Sequence, residues 1–172
     1  GRGFPNLLFR RARPAIAGPE GTGSAITLNG GYVMIQDFLL KDSRDAGVFV
    51  GRGADNNVVS DNEIVATGTG ITVRGQNNLV ARNLIRDLVM VRNTRGGNDD
   101  YGANGVVIWT SNNEVAYNLF INNRAPSYDY GTDGGAVEIF SNVSNVNIHH
   151  NYSTGGDGVL EVQNGLAPLL VA

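Results

Sequence analysis

Several residue types on which other proteins depend are rare or missing in this chain of 172 residues. Cysteine is absent, which excludes a disulfide framework, and two histidines without cysteine make a zinc site improbable. Lysine occurs once, at Lys41, and the net charge is −3, so neither nucleic acid nor an anionic membrane is an expected partner. No apolar run approaches the roughly 20 residues of a membrane span. The chain length favours one domain, and a hydrophobic fraction of 41% is ordinary for a globular protein.

Glycine and asparagine are abundant instead, with 24 Gly and 21 Asn. Both residue types tolerate the left-handed backbone conformation that tight turns require. A chain so rich in both is expected to turn often and at closely repeated positions. The sequence begins with Gly1 rather than Met and has no signal-peptide pattern, so we expect a processed chain or a fragment.

Short apolar runs recur along the chain, and their first residues are separated by 22, 23, 35, 31 and 23 residues. The residues that begin these runs are Ile26, Val48, Ile71, Val106, Val137 and Leu160. A base period of 22 or 23 residues with two longer members predicts a stack of repeating units, each one turn of a solenoid.

A second run follows each first run and ends on an asparagine, which gives the column Asn62, Asn83, Asn118 and Asn151. Three residues before each asparagine stands an apolar residue that is predicted to point inward: Val59, Val80, Val115 and Ile148. A third short run comes next, as at Ile64 and Phe120. We interpret the asparagine column as structural, a ladder of turn amides joined by hydrogen bonds.

Two or three strands of 3–5 residues in a coil of this length are typical of one rung of a parallel β-helix. The predicted fold class is all-β, a single-stranded right-handed parallel β-helix of about six rungs. Residues 1–172 are expected to form one domain, with 1–24 as an N-terminal cap or partial rung and 25–165 as the rungs. The apolar end at 166–172 is expected either to fold over the last rung or, the alternative that we favour, to be truncated. A β-sandwich does not produce aligned asparagine columns, and the signature of leucine-rich repeats is missing.

The runs at residues 77–83 and 145–152 resemble the repeats of the pectate-lyase-like superfamily of right-handed β-helices. The resemblance covers roughly residues 25–165 and assigns no single family, because the Gly-His-Gly of polygalacturonases and the Asp-Pro-His of alginate epimerases are absent. It implies the fold, and it implies a choice among polysaccharide lyases, glycoside hydrolases, uronate epimerases, phage tailspikes and adhesins.

The register also predicts which side chains of the first strands point outward, because successive residues in a strand face opposite sides. One outward column contains Glu138 and Glu161, one rung apart, and a second contains Arg74, Trp109 and Phe140. The extra residues of the two long coils, about 12 and 8, precede the next first strand. We expect these loops to pack side by side and to wall this face, and loops on a regular scaffold often carry function.

The stacked carboxylates Glu138 and Glu161 are expected to repel, so that one of them holds its proton to higher pH and the pair supplies an acid and a base. Asp133, in the second loop, is the third catalytic candidate. Two alternatives stay open. The glutamates are splayed surface residues, or Ca²⁺ bridges them with nearby aspartates, since that ion prefers oxygen ligands. No other cofactor or metal is indicated.

Arg74, Trp109 and Phe140 are the expected substrate-binding residues, together with Tyr101 and Tyr130 from the loops. The alternative is that a flanking loop covers the two aromatic rings. We therefore expect a secreted protein, extracellular or periplasmic, that acts as a lyase or hydrolase on an acidic polysaccharide. The second hypothesis is a noncatalytic segment of a spike, adhesin or fibre that binds glycan or associates end to end.

Overall fold

The structure is a computed structural model, and it describes residues 12–19, 23–163 and 170–171. Three parallel sheets of six strands each run the length of the stack, and consecutive strands of the chain belong to different sheets. Every strand of these sheets pairs with its equivalents in the neighbouring rungs. The chain is therefore an all-β parallel β-helix, and the predicted fold class is confirmed.

The strand bounds follow the predicted runs closely. The first sheet contains Ile26–Leu28, Ala46–Val50, Thr69–Val73, Asn104–Ile108, Gly135–Ile139 and Leu160–Val162. The second sheet contains Met34–Gln36, Val58–Ser60, Leu79–Ala81, Glu114–Ala116, Asn147–His149 and Leu170–Val171. The third sheet contains Ala15–Ala17, Leu39–Lys41, Glu63–Val65, Leu84–Arg86, Leu119–Ile121 and Tyr152–Thr154.

The predicted register of the first sheet is confirmed residue by residue. Val48 pairs with Ile71, and Ile71 pairs with Val106, so residues 23 and 35 positions apart become direct neighbours. All three side chains are fully buried. Each rung alone would leave these apolar groups in water, so their burial depends on stacking, which makes the core continuous along the axis.

Each corner between sheets is made by one residue per rung in the left-handed conformation. Between the first and second sheets these residues are Tyr32, Asn56, Asn77, Asn112 and Asn145, and between the second and third they are Asp37, Asp61, Arg82, Tyr117 and His150. Between the third sheet and the next rung they are Asp42, Ala66, Asp87, Asn122 and Gly155. A left-handed residue is thus needed three times in each turn of the solenoid. Nine of these fifteen residues are asparagine or aspartate, which tolerate that conformation, so the corners account for part of the asparagine content.

The predicted asparagine ladder lies inside the corner between the second and third sheets. Asn83 Nδ2 donates to Oδ1 of Asn118 over 3.0 Å, and Asn118 Nδ2 donates to Oδ1 of Asn151 over the same distance. The same amides also bind backbone groups, for example Asn118 Nδ2 to the carbonyl of Val80 at 3.0 Å. The ladder therefore satisfies buried backbone groups at the corner, as expected of a structural column.

A second asparagine ladder, which the sequence reasoning missed, lies in the corner between the first and second sheets. The backbone N–H of Asn57 donates to Oδ1 of Asn78 at 2.8 Å, and that of Asn78 donates to Oδ1 of Asn113 at 2.9 Å. The signal was in the sequence, because an asparagine opens each of the repeated second runs. Two of the three corners are thus held by stacked amides.

Glycines in the first sheet make room for large residues of the third sheet. A Cβ on Gly70 would come 2.6 Å from Cγ2 of Ile85, and one on Gly105 would come 2.5 Å from Cδ1 of Phe120. In the next rung Ala136 follows Gly135 at the equivalent position, where the third sheet carries a small residue, Ser153. The two columns compensate each other in volume, as a close-packed interior requires.

The two ends lie partly outside the described residues. Of the predicted cap at 1–24, residues 1–11 and 20–22 are outside them, while Ala15–Ala17 pairs in parallel with Leu39–Lys41 as a partial rung. Arg13 contacts Glu63 at 3.5 Å. Of the predicted end at 166–172, Leu170–Val171 is described and pairs with the second sheet. In the described parts of the chain no helix is long and apolar enough to cross a bilayer.

Candidate functional site

The two long coils form antiparallel hairpins above the outer face of the first sheet. The first hairpin pairs Met90–Arg92 with Tyr101–Gly102, and the second pairs Ala125–Ser127 with Gly131–Asp133. The expectation that these segments pack side by side is met: Asn93 Nδ2 donates to the carbonyl of Pro126 at 3.0 Å. They therefore form a wall beside the outward columns of the first sheet.

Two aspartates fasten the hairpins to each other. Oδ2 of Asp100 accepts hydrogen bonds from the backbone N–H groups of Tyr128 and Asp129 and from the hydroxyl of Ser127. In return, Oδ2 of Asp129 accepts the backbone N–H groups of Asp99 and Asp100. Burial works to raise the pKa of Asp100, but these bonds and that from Thr94 outweigh it and hold the pKa below its ordinary value. The reciprocal exchange fixes the wall as one unit.

The groove lies between the first hairpin and the first sheet and encloses about 500 Å³. One of its walls is a stack of side chains from successive rungs. The guanidinium carbon of Arg74 lies 5.6 Å from the ring centre of Phe49 and 4.6 Å from that of Trp109, and Trp109 stacks on Phe140 at 4.9 Å with an angle of 9° between the rings. The rung spacing places flat groups at stacking distance, so these four side chains form a continuous stack, although Phe49 comes from the other outward column.

The stack limits which parts of Trp109 and Phe140 are open to the groove. The two rings are neighbours on successive rungs, as predicted, but both are only partly exposed, and Trp109 has Arg74 on one face and Phe140 on the other. The groove therefore meets the edges of these rings. Phe140 ends the stack, because the next rung carries Gln163 at the equivalent position. Phe140 stacks on Trp109 with one ring face, and no aromatic ring of the described residues covers its other face.

The tyrosines from the hairpins lie in different places. Tyr101, from the first hairpin, lines the groove and is 46% exposed. Tyr130, from the second hairpin, is 51% exposed and lines neither the groove nor the pocket beside it. Burial first, and then the charges of Asp129 and Asp133, raise the pKa of Tyr130. The structure thus brings Tyr101 to Arg74, Trp109 and Phe140, and leaves Tyr130 at the rim.

The acidic pocket adjoins the groove and encloses about 280 Å³ beneath the second hairpin. Glu138 and Glu161 are direct partners in neighbouring strands of the first sheet, so their Cα atoms are roughly 4.8 Å apart. Asp133, from the end of the second hairpin, lines the same pocket. The three predicted catalytic carboxyl groups are therefore brought together.

The environment of the acidic pocket raises the pKa of two of these groups. Burial first, and then the charges of Glu161 and Asp133, raise the pKa of Glu138 from 4.5 to about 8. Burial first, and then the charges of Glu161 and Asp157, raise the pKa of Asp133 from 3.8 to about 6. Glu161 is exposed to water and supplies the charge that acts on both. The arrangement combines a neutral carboxylic acid with a neighbouring carboxylate at neutral pH.

Sequence reasoning missed two residues of this site. Asn104 lines both the groove and the acidic pocket, and its side-chain Nδ2 donates to Oε2 of Glu138. Its signal was a lone amide at the start of an otherwise apolar strand. Asp157 also lines the acidic pocket, and Arg124 from the second hairpin binds it at 2.9 Å. No sequence signal distinguished Asp157 from a solvated turn residue, because its role depends on how the hairpin folds back.

The carboxyl cluster best suited to a cation lies elsewhere. Among the described residues, the group that brings three carboxylate oxygens within 4.8 Å of one another is Asp99, Asp100 and Asp129, in the hairpins. Glu138, Glu161 and Asp133 do not form such a group. The hairpin cluster is accounted for by the hydrogen bonds that join the two hairpins. The expectation of Ca²⁺ between Glu138 and Glu161 stays a prediction.

The histidines lie on the second sheet or the corner after it, away from both cavities, as expected. His149 Nε2 and Oε1 of Glu114 are 3.1 Å apart, and His149 Nδ1 lies 2.8 Å from Nδ1 of His150. Tyr117 stacks on His150 with ring centres 4.8 Å apart. His149 and His150 therefore belong to a local surface cluster whose members contact one another.

No protein-family model, curated protein or solved structure matches the chain. The fold and the two cavities described above are therefore the basis for assigning a function.

Proposed function

We propose that this chain cleaves glycosidic bonds of a polysaccharide in the acidic pocket. The observation that carries the proposal is the register of the first sheet, which pairs Glu138 with Glu161 in the pocket that Asp133 also lines. Glycosidic cleavage needs one carboxylic acid to protonate the leaving oxygen and one carboxylate to act as base or nucleophile. Two carboxyl groups on adjacent rungs, with a third at the rim, meet that requirement.

Glu138 is the proposed general acid. Its raised pKa of about 8 keeps it protonated near neutral pH, where an acid must still hold its proton. Asn104 donates to Oε2 of Glu138, which leaves Oε1 as the oxygen that carries the proton. Glu161, exposed on the next rung, is the proposed base or nucleophile. Asp133, with a pKa of about 6, is proposed to adjust the charge of the pair and to bind a sugar hydroxyl.

The sugar at the point of cleavage is proposed to be uncharged there. Asp133, Glu138, Glu161 and Asp157 all line the acidic pocket, and a sugar carboxylate among them would meet like charges. Any negative charge of an acidic polysaccharide would lie towards Arg74, in the groove. The open face of Phe140 is proposed to support a sugar ring, and Tyr101 and Tyr130 to border its path. This distribution of charge supports hydrolysis over lyase chemistry.

The arrangement of rungs supports placing the fold with the pectate-lyase-like superfamily, and we infer that relationship from its three parallel sheets and its stacked asparagines. Because polysaccharides of this kind lie outside the cytoplasm, we propose an extracellular or periplasmic location. A noncatalytic glycan-binding segment is the alternative that the experiment below distinguishes.

The test is turnover of a panel of neutral and uronate polysaccharides by the wild type and by three variants, Glu138→Gln, Glu161→Gln and Asp133→Asn. The release of reducing ends measures cleavage by hydrolysis or by elimination. The ultraviolet absorbance of an unsaturated uronate identifies the products of elimination. The Glu138→Gln and Glu161→Gln variants are expected to lose at least 100-fold in kcat, in line with the loss of general acid–base catalysis. Loss from Asp133→Asn is expected to be smaller.

The matched control is Glu114→Gln on the second sheet, which removes a carboxylate from a strand outside both cavities. It is expected to retain wild-type turnover. Glycan binding without new reducing ends would overturn the catalytic proposal and favour the noncatalytic alternative. Equal turnover by the wild type and Glu138→Gln would also overturn it. Products with an unsaturated uronate would replace hydrolysis by elimination.

A further inference from the structure

The groove differs in chemistry from the acidic pocket that it adjoins. Its floor is formed by Thr72 and Val107 from the outward column of the first sheet, and Val91 and Tyr101 of the first hairpin form its outer wall. A volume of about 500 Å³ is within the range of small-molecule sites. The groove has room for an organic group larger than a single sugar substituent.

The serine, threonine and aspartate side chains of the groove already have hydrogen-bond partners, but its one cationic side chain does not. The hydroxyls of Thr69 and Thr72 lie 3.1 Å apart, and that of Ser24 accepts the backbone N–H of Ala46 at 3.3 Å. Asp45 Oδ2 accepts the backbone N–H of Gly23 at 3.0 Å. The exception is Arg74, whose guanidinium forms no ion pair or hydrogen bond in the part of the chain that the structure describes, and whose Nε is buried without a partner.

The guanidinium of Arg74 lies between two aromatic rings and lines the groove without a hydrogen-bond partner. Phe49 is on one side of it and Trp109 on the other. A planar fork of N–H donors fits a carboxylate better than any neutral acceptor. Asp45 also lines the groove but binds the backbone N–H of Gly23, so a carboxylate beside the stack is the partner that Arg74 lacks.

The ring edges favour an aromatic ligand. Aromatic rings have positive edges and negative faces, so the edges of Phe49, Trp109 and Phe140 attract the face of another aromatic ring in an edge-to-face arrangement. A sugar presents C–H groups, which pack on ring faces instead, and Trp109 has no free face. Beside Phe49 and Trp109 the groove is thus a better match for a flat aromatic group than for a bare sugar, which fits only the open face of Phe140.

We infer that the groove is a binding site for an aromatic carboxylate, with its ring against the edges of the stack and its carboxylate on Arg74. This inference rests on the groove alone and holds whether or not the acidic pocket cleaves glycans. The aromatic carboxylate belongs either to a substituent carried by the glycan or to a separate small molecule. Both sources share the same chemistry.

The experiment uses the single tryptophan of the chain, Trp109, as an intrinsic reporter inside the groove. Three probes of similar shape are titrated by tryptophan fluorescence and by calorimetry: biphenyl-4-carboxylate, biphenyl-4-methanol and 4-cyclohexylcyclohexanecarboxylate. The aromatic carboxylate is expected to bind at least tenfold more tightly than either of the others. Equal affinity for the carboxylate and the alcohol, or no binding of the carboxylate, would overturn the inference.

Variants separate the charge of Arg74 from its packing. Arg74→Met is expected to weaken biphenyl-4-carboxylate at least tenfold and to leave the alcohol within twofold, while Arg74→Lys retains part of the carboxylate affinity. Arg52→Met, which removes an exposed charge one rung away, is the control and is expected to bind like the wild type. An unchanged carboxylate affinity in Arg74→Met, with the fold intact by circular dichroism, would contradict the assignment.

Failure of the proposed cleavage in the acidic pocket can be distinguished from failure of the proposed binding in the groove. Glu138→Gln is expected to abolish polysaccharide cleavage and to bind the aromatic carboxylate with wild-type affinity. A rise in the KM for the polysaccharide when biphenyl-4-carboxylate is present would identify the ligand as part of the substrate. An unchanged KM would identify it as a separate molecule, and either result supports the site.

Discussion

The side-chain amide of Asn104 donates a hydrogen bond to Oε2 of Glu138, which lies on the next rung. Asn104 begins its strand at the point where the groove meets the acidic pocket, so one amide belongs to both cavities. The bond favours the ionised form of Glu138 and opposes the burial and the neighbouring charges that raise its pKa. Asn104 therefore limits how strongly the pocket holds this proton.

The raised pKa of Glu138 makes the stability of the fold depend on pH. A carboxyl whose pKa rises from 4.5 in the unfolded chain to about 8 in the fold stabilises the fold fully below pH 4.5, and the contribution is lost as the pH rises towards 8. Glu138→Gln, which is neutral throughout, is expected to equal the wild type near pH 4.5. Above pH 8 it is expected to be more stable by on the order of 2–4 kcal/mol, measured by urea unfolding. If the free energy of unfolding depended on pH in the same way in both proteins, a buried charge at position 138 would be excluded.

The bond network around Asp100 predicts local opening without loss of the solenoid. Asp100→Asn replaces one acceptor oxygen by an NH2 group. This NH2 group cannot accept the hydrogen bonds that Ser127, Tyr128 and Asp129 donate to Asp100 in the wild type. Hydrogen exchange at the amides of Tyr128 and Asp129 is expected to increase at least tenfold, with little change at Val106. Asp99→Asn is the control. It keeps the bonds between the hairpins, because Asp99 binds Asp129 through its backbone N–H and not through its side chain. Equal hydrogen-exchange rates in the two variants would contradict the conclusion that Asp100 joins the two hairpins.

The asparagine ladder is expected to contribute strongly to stability. Asn118→Ala removes the acceptor of Asn83 and the donor to Val80 and Asn151. Asn83 and Asn118 themselves are fully buried. Each buried polar group left without a partner costs about 1–3 kcal/mol, so the variant is expected to lose about 3 kcal/mol or more. The control, Asn29→Ala, changes an exposed asparagine and is expected to cost less than about 0.5 kcal/mol. Similar losses in urea unfolding for both variants would count against the ladder.

The left-handed corners predict a stabilising substitution. Ala66 has a φ of 53°, a conformation that costs an alanine about 1–2 kcal/mol and a glycine almost nothing. Ala66→Gly also gains freedom in the unfolded chain, so the net stabilisation is expected to be up to about 1 kcal/mol. Ala17→Gly, in a strand with ordinary backbone, is expected to destabilise by about 0.5–1 kcal/mol. Destabilisation by both substitutions would contradict the assigned corner geometry.

The sequence predicts the stack well because the period defines which residues are paired. The spacing of Val48, Ile71 and Val106 placed them in one column, and the same register brought Glu138 beside Glu161. A repeat does not define side-chain torsions, so the closed stack of Trp109 between Arg74 and Phe140 was not predicted. The hairpins were not predicted either, because their pairing depends on contacts such as that of Asp100 with Asp129, which no period encodes.

The central claim is that stacked rungs hold a proton on Glu138 at neutral pH. The most direct measurement is a titration of the Glu138 side-chain carboxyl carbon by NMR in the wild type and in Glu161→Gln. We predict a wild-type midpoint near 8 and a lower midpoint in Glu161→Gln, where a neighbouring negative charge is gone. A wild-type midpoint near 4.5, unchanged in the variant, would contradict the account.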